Sequence, residues 1–200
     1  MSPPVELASR TPALWVGRVE REPLALLADH AHCELGAAAS AQALVSRNPE
    51  KAELVEALAA VALEEMQHFG IVVRELHARG GSLGRAAPNP YAEGLLAGAA
   101  QGRRSVLLDR LLVSHLIEAR SLERFQLLAE HLRDADLARL YRGLAPSEAA
   151  HRALFLRLAR AYFDAPRVRS RLFELRALEA RLLDGLPFCA RVHSGTRAVP

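Results

Sequence analysis

The stretch Glu65-Met66-Gln67-His68 decides the fold of this chain, because the same spacing returns as Glu148-Ala149-Ala150-His151. A carboxylate and an imidazole three residues apart project from one face of a helix and can reach one metal ion. A partner glutamate precedes each motif at a matching distance, with Glu34 31 residues before Glu65 (65 − 34) and Glu118 30 residues before Glu148 (148 − 118). Two helices that each carry Glu-x-x-His, together with two that each give a glutamate, form the ligand pattern of dinuclear carboxylate bundles. The sequence therefore predicts a dinuclear metal site.

The composition is typical of one globular domain that contains its own core. The chain has 200 residues, half of them hydrophobic, and a formal net charge of +3. No apolar run approaches the roughly 18 to 20 residues that span a bilayer, and the N-terminus lacks the pattern of a signal peptide. We therefore expect a single domain over residues 1–200, with an irregular start (about 1–11) and tail (about 185–200), and no membrane partner. The only cysteines are Cys33 and Cys189, too few for a disulfide framework, which favours the cytoplasm.

The helical spacing of apolar residues and the positions of glycine and proline predict an all-α fold. Four long helices are expected, at about 23–46, 50–78, 105–131 and 135–163, with short helices at about 12–19 and 91–99 and a further amphipathic helix at about 168–183. The glycine-rich stretch from Gly80 to Arg104 falls where the chain crosses from the second long helix to the third. Pro146 interrupts the fourth helix, but the apolar stripe keeps its phase across it, so we expect one helix that is kinked there. The predicted architecture is a four-helix bundle with a long crossover and an extra C-terminal helix.

Helical phase selects the glutamates that face the core. Glu65 lies on an apolar stripe of the second long helix, whereas Glu64 is not three residues from any histidine and is placed outside the site. Glu118 has an apolar setting, but so does Glu123, and only the spacing to Glu148 favours Glu118. Inward-facing charges would be costly unless paired, and metal coordination removes that cost.

The predicted ligand set is rich in oxygen. It consists of Glu34, Glu65, His68, Glu118, Glu148 and His151. Four carboxylates and two imidazoles suit iron or manganese better than structural zinc. No catalytic residue is predicted beyond the metal centre, and no residue is assigned to an organic cofactor. The neighbouring His30, His32 and His115 are left out of the ligand set, although His30 or His115 could lie behind a ligand glutamate, and Cys33 is expected to be a packing residue.

At these residues the chain resembles the MiaE family of tRNA 2-methylthio-isopentenyladenosine hydroxylases, within the ferritin-like superfamily. The resemblance extends over about residues 12–195, and its most specific part is the run 117–125, Ile-Glu-Ala-Arg-Ser-Leu-Glu-Arg-Phe. It is also carried by the stretches 29–34, 64–69, 147–151 and 191–195. Pro146 departs from the family pattern two residues before Glu148.

The resemblance implies a fold, an activity and a set of partners. It implies two irons bridged by glutamates, with manganese as the alternative metal, and hydroxylation of the isopentenyl group of a modified adenosine next to the tRNA anticodon. Dioxygen would be the oxidant, and a reductase or ferredoxin would supply two electrons. The candidate RNA-facing residues are Arg85, Tyr91, Arg103 and Arg104 in the crossover, while Arg120 and Arg124 either face RNA or brace the ligand glutamates.

Three other functions compete with this interpretation. A ferritin-like protein of iron storage or oxidant defence would share the site, and so would a di-metal oxidase acting on a small molecule or lipid. A metal-free helical interaction module is disfavoured, because six inward ionisable groups at metal spacing would then be buried without partners.

Overall fold

The structure is a computed structural model that describes residues 7–100 and 106–197. These residues are mainly helical, and the β-pairing among them is an isolated parallel bridge between Pro187 and Arg197. A 3-10 turn, Ala13–Trp15, precedes the α-helices, which are α1 (Val16–Val19), α2 (Pro23–Arg47), α3 (Ala52–Ala78), α4 (Pro90–Ala100), α5 (Val106–His131), α6 (Ala135–Tyr162) and α7 (Ala165–Gly185). The helices predicted from periodicity are confirmed to within a few residues, although Ser105, the predicted start of the third long helix, lies outside the described residues.

The described chain divides into two compact units. The N-terminal unit comprises residues 17–88 together with 190–192, and the C-terminal unit comprises residues 7–16, 89–100, 106–189 and 193–197. None of the described helices combines the length and the apolar content needed to cross a membrane.

The N-terminal unit pairs α2 with α3. Pro23 begins α2 at a position where the missing N–H costs nothing. Gly80 ends α3 with a positive φ of 78°, and Gly81 N–H donates to the Leu76 carbonyl at 2.9 Å, closing the last turn. The apolar stripe predicted for α3 is buried throughout. On α2 the buried face includes His30, Ala31, Glu34 and Ala38, whereas Leu35 is 40% exposed.

The C-terminal unit is organised around α5, which packs on α6, α4 and α7. This explains why α5 is buried on most of its circumference. The Asp134 carboxylate caps α6 by accepting from the amides of Asp136 and Leu137, both at 3.0 Å. The α6 helix continues through Pro146, which confirms a single helix, while the kink stays a prediction. On α4, Gly98 lets α7 approach closely, since a Cβ there would lie 2.6 Å from the side chain of Leu178.

A buried polar cluster joins the ends of the C-terminal unit. The Arg120 guanidinium donates twice to the Glu179 carboxylate, at 2.9 and 3.1 Å, and also to Ser9 and Thr11. Glu179 in turn accepts from the Tyr91 hydroxyl at 2.9 Å. Arginine can satisfy several partners at once because its five N–H donors form a rigid fork. The cluster therefore fixes the N-terminal segment, α4 and α7 on α5.

A second buried arginine holds the tail of the C-terminal unit. Arg124 donates to the Ser194 carbonyl at 2.6 Å, and its guanidinium lies 4.6 Å from the centre of the Trp15 ring. His193 stacks on Tyr91 with ring centres 4.9 Å apart, and its Nε2 is 3.0 Å from the Ser121 hydroxyl. The described part of the tail, residues 186–197, is irregular as predicted, and His193 and Ser194 within it are buried.

Candidate metal centre

The N-terminal unit brings together three of the predicted ligands. Glu34 from α2 and Glu65 and His68 from α3 each present a ligand atom, and these atoms lie within 4.8 Å of one another. The Nδ1 of His68 lies 3.5 Å from the Glu65 carboxylate and 3.7 Å from the Glu34 carboxylate. All three side chains are buried. The pairing of α2 with α3 therefore builds half of the predicted site without any other part of the chain.

The predicted exclusion of Glu64 agrees with its position. Its side chain is 45% exposed, and its nearer carboxylate oxygen lies 4.0 Å from His68 Nε2. Glu65 is 1% exposed. The difference arises because adjacent residues on a helix point about 100° apart, so only Glu65 shares the buried stripe.

A histidine of the same helix contacts the Glu34 carboxylate. His30, one turn earlier on α2, is completely buried, and its Nε2 lies 2.6 Å from a Glu34 carboxylate oxygen. The sequence left open whether His30 or His115 would lie next to a ligand glutamate. The structure shows that contact for His30, and such a hydrogen bond fixes the orientation of a ligand carboxylate.

Two of the predicted ligands in the N-terminal unit, Glu34 and His68, have perturbed pKa values. Burial raises the pKa of Glu34 to about 8, opposed by its hydrogen bond to His68 and reinforced by the neighbouring Glu65. Burial alone would lower the pKa of His68, but hydrogen bonds to Glu34 and Glu65 raise it to about 10. These groups therefore hold protons that a metal ion would displace, and metal binding should release them.

The C-terminal unit repeats the arrangement. Glu118 from α5 and Glu148 and His151 from α6 are buried, and their ligand atoms also lie within 4.8 Å of one another. The rival Glu123 is more exposed and accepts from the amide and the hydroxyl of Thr11, both at 2.8 Å, as well as from Arg120. Its carboxylate is therefore engaged elsewhere, which favours Glu118.

His115 is a buried neutral histidine rather than a member of either group. Its Nδ1 lies 2.8 Å from the Arg152 carbonyl on α6. Burial lowers the pKa of His115 to about 4, and the positive charges of Arg152, Arg160 and Arg176 act in the same direction. The imidazole is thus a structural link between α5 and α6.

This depressed pKa predicts a loss of stability in acid. The unfolded chain binds a proton on His115 near pH 6.5, whereas the native chain does so only near pH 4. The contribution of neutral His115 to the free energy of unfolding is therefore present above pH 6.5 and is lost as the pH falls towards 4. We expect His115→Asn to flatten the fall in the free energy of unfolding between these pH values, measured by urea denaturation. His131→Asn, at an exposed histidine of the same helix, should leave the profile unchanged, and a flattening as large as that of His115→Asn would contradict this account.

Both groups have the chemistry of a metal site. Each consists of two carboxylates and one imidazole from two neighbouring helices. Carboxylates that are buried together destabilise one another unless they are protonated or share a cation. Hard oxygen donors with imidazole fit iron or manganese. The residues present therefore fit a pair of such ions.

Three of the residues considered for RNA contact, Tyr91, Arg120 and Arg124, are buried. Tyr91 is buried and bonded to Glu179, so the prediction that it faces RNA was wrong. Arg120 and Arg124 are each 0% exposed, and neither faces solvent, because they hold the N-terminal segment and the tail. Arg85 is exposed, whereas Arg103 and Arg104 lie outside the described residues.

Comparison with known proteins identifies the family. The family model MiaE, tRNA-(MS[2]IO[6]A)-hydroxylase, matches residues 4–194. The chain belongs to the MiaE family. It is thus a member of a family of tRNA hydroxylases, as the resemblance indicated.

Two curated MiaE relatives carry the same name. The tRNA 2-(methylsulfanyl)-N(6)-isopentenyladenosine(37) hydroxylase of Pseudomonas putida is 35% identical over 189 residues, covering 94% of this chain and 92% of the relative. The Salmonella typhimurium hydroxylase of that name is 32% identical over 151 residues, covering 76% of this chain and 55% of the relative. The chain thus spans nearly the whole of one relative and about half of the other.

A solved structure confirms the predicted all-α, ferritin-like fold class. A Synechococcus protein described as having aldehyde deformylating oxygenase activity superposes with a TM-score of 0.89 and is 37% identical. The match covers 94% of this chain and 96% of that protein.

Proposed function

We propose that this MiaE-family chain is a di-iron monooxygenase that hydroxylates the isopentenyl group of a modified adenosine next to the tRNA anticodon. The observation that carries the proposal is the family match over residues 4–194. The two buried ligand groups support it, because hydroxylation of a C–H bond needs a centre for oxygen chemistry and these residues fit one. The name of the Pseudomonas putida relative supports the same substrate.

We further propose that six residues hold the metals. Glu34, Glu65 and His68 would bind from the N-terminal unit, and Glu118, Glu148 and His151 from the C-terminal unit. When bound, the iron pair supplies the activation of dioxygen, which no amino-acid side chain can perform. Family membership favours iron over manganese, since the donor set suits both.

The protein's own residues would position the metals and keep water away. Glu34 would be oriented by His30, whose Nε2 lies 2.6 Å away. Apart from the proposed ligands and Tyr141, the buried side chains of α3 and α6 are apolar. Such walls strengthen electrostatic interactions inside a site and limit side reactions.

The remaining parts of the proposal follow from the family and the reaction. Dioxygen would be the oxidant, and an external reductase or ferredoxin would deliver two electrons. A tRNA substrate would favour a cytoplasmic location. Residues 1–200 would act as one domain. The adenosine lies in a loop, where a base can be splayed out and its modified edge recognised.

The proposed reaction can be tested directly. Purified protein is reconstituted with ferrous iron and supplied with a reductant, labelled dioxygen and tRNA that bears the isopentenyl modification. After digestion, mass spectrometry should show one labelled oxygen on that nucleoside, and none without iron. Two metals per chain without any such product would move the function to iron storage, oxidant defence or small-molecule oxidation.

The Synechococcus oxygenase, which matches this chain at 37% identity, suggests a second candidate function. This candidate is an oxygenase that removes the formyl carbon of an aldehyde. Incubating the same iron-loaded protein with medium-chain and long-chain aldehydes and measuring aldehyde loss discriminates the two. We expect oxygen addition to tRNA and no aldehyde turnover, since the charge of the C-terminal unit favours a polyanion.

A further inference from the structure

The charge of the chain is divided unevenly along the sequence. Residues 17–88 hold seven Lys and Arg against ten Asp and Glu, a formal charge of −3. Residues 89–189 hold sixteen arginines against twelve Asp and Glu, a formal charge of +4. A polyanion is attracted by a region of net positive charge. The C-terminal unit is therefore the better candidate for RNA contact.

Within that unit the positive charge concentrates on the outer face of α6. Arg139, Arg142, Arg157 and Arg160 are exposed, and Arg152 is half-buried. Between Asp136 and Asp164 the chain has a single carboxylate, Glu148, which is buried. Asp136 pairs with Arg139 at 2.7 Å, so the charge at that end is partly compensated.

These arginines share one side of the helix. The solvent-facing stripe runs through Arg142, Pro146, Ala153, Arg157 and Arg160, at steps of four, seven, four and three residues. At 1.5 Å per residue, Arg142 and Arg160 stand roughly 27 Å apart along the axis. The middle of the face has small side chains, so a nucleic-acid strand could approach the helix closely there. We call this stripe the arginine face.

A groove opens beside the arginine face, between α6 and α5. It has a volume of about 480 Å³, within the range of small-molecule sites. Its apolar lining includes Leu122, Pro146 and Ala149, and its polar lining includes Gln126, Glu130 and Arg142.

The groove lies at the same level along α5 and α6 as the proposed metal ligands of this unit. Leu122 follows Glu118 by one helical turn, and Ala149 is the residue after Glu148. An apolar groove at this level of the helix pair suits an apolar substituent that is to be oxidised. The polar residues at the groove suit the edge of a base.

We propose that the arginine face docks the tRNA loop, with its guanidinium groups on backbone phosphates and the groove holding the prenylated base. Charge complementarity selects RNA as the occupant, and the adjacent groove selects a loop whose base can leave the stack. The inference rests on the proposed function and adds the surface and the residues that would recognise its substrate.

The phosphate contacts are tested by removing three charges. We expect Arg142→Gln/Arg157→Gln/Arg160→Gln to raise the Kd for prenylated tRNA roughly tenfold or more, and to lower the slope of log Kd against log salt by about 2. The matched control is Arg21→Gln/Arg47→Gln/Arg74→Gln, which removes three exposed charges from the N-terminal unit. It should change the Kd less than about twofold. Wild-type affinity in the α6 variant, or an equal loss in the control, would overturn the proposal.

The groove is tested separately from the charges. Ala145→Phe adds a ring to the groove lining, whereas the control Ala59→Phe adds the same ring at an exposed position of α3, outside the proposed surface. We expect Ala145→Phe to lose at least about 90% of oxygen addition while it binds tRNA and two metals as the wild type does. Full activity in Ala145→Phe would overturn the groove assignment. If the wild type hydroxylates tRNA but these variants do not differ, the surface is wrong and the function stands; if the wild type does not bind tRNA, both fall.

Discussion

Glu65→Ala is expected to lower tRNA hydroxylation at least about 100-fold, because it removes a carboxylate that the account places on the metals. Substitution of a residue that only hydrogen-bonds a metal ligand already lowers metal affinity or activity 10-fold to 100-fold. Glu65 is 1% exposed, and its carboxylate lies 3.5 Å from His68. Metal analysis of protein loaded with ferrous iron should show fewer than two irons per chain, and far-ultraviolet circular dichroism should show a helical protein.

The neighbouring glutamate supplies the control. Glu64→Ala removes the same carboxylate from the adjacent, half-exposed position and should retain activity and metal content. His151→Ala should reproduce the loss of Glu65→Ala from the other unit, since His151 belongs to the second group of ligands. Full activity in Glu65→Ala or in His151→Ala would remove the support for the ligand assignment.

Arg120→Ala is expected to lower the free energy of unfolding by about 3–5 kcal/mol, the usual cost of breaking one side of a buried ion pair. Arg120 and Glu179 are both completely buried, and two hydrogen bonds join them. Without Arg120 the Glu179 carboxylate would keep only the Tyr91 hydroxyl among the partners described here. Urea denaturation followed by circular dichroism measures the difference.

A double variant separates the ion pair from simple packing. Arg120→Met/Glu179→Met replaces both charges by apolar chains of similar length, and such replacements are often neutral or stabilising. We expect it to recover most of the lost stability. If the double variant is as unstable as Arg120→Ala, the loss comes from packing and not from the unpaired carboxylate.

The fold and the burial of the proposed metal ligands could be predicted from the sequence because both depend on local periodicity. Glu65 and His68 share a stripe with apolar residues, and the same phase places Glu148 and His151 on α6, so position on the helix predicts which side chains are buried. Pro23 begins α2 and Gly80 ends α3. Both effects depend on the backbone conformation within one helical turn, so they can be predicted from the local sequence.

The contacts that were missed join residues far apart in the chain. Nothing near Arg120 in the sequence shows that its partner is Glu179, 59 residues later, and arginine is rarely buried unless it is paired. Tyr91 was expected to face RNA because it lies in a glycine-rich crossover, yet the packing of α4 on α7 buries it. The hydrogen bond between His30 and Glu34 is local, at a spacing of four residues, and its signal was present but could not be told from that of His115.

A crystal structure of the iron-loaded protein, with anomalous differences collected at the iron edge, is the most direct test of the proposed di-iron centre. We expect two iron peaks per chain, about 3.5–4 Å apart as in other two-metal sites. The six proposed ligands, Glu34, Glu65, His68, Glu118, Glu148 and His151, should lie within coordination distance of the irons. A single peak, no peak, or irons held by other residues would contradict the proposed di-iron centre.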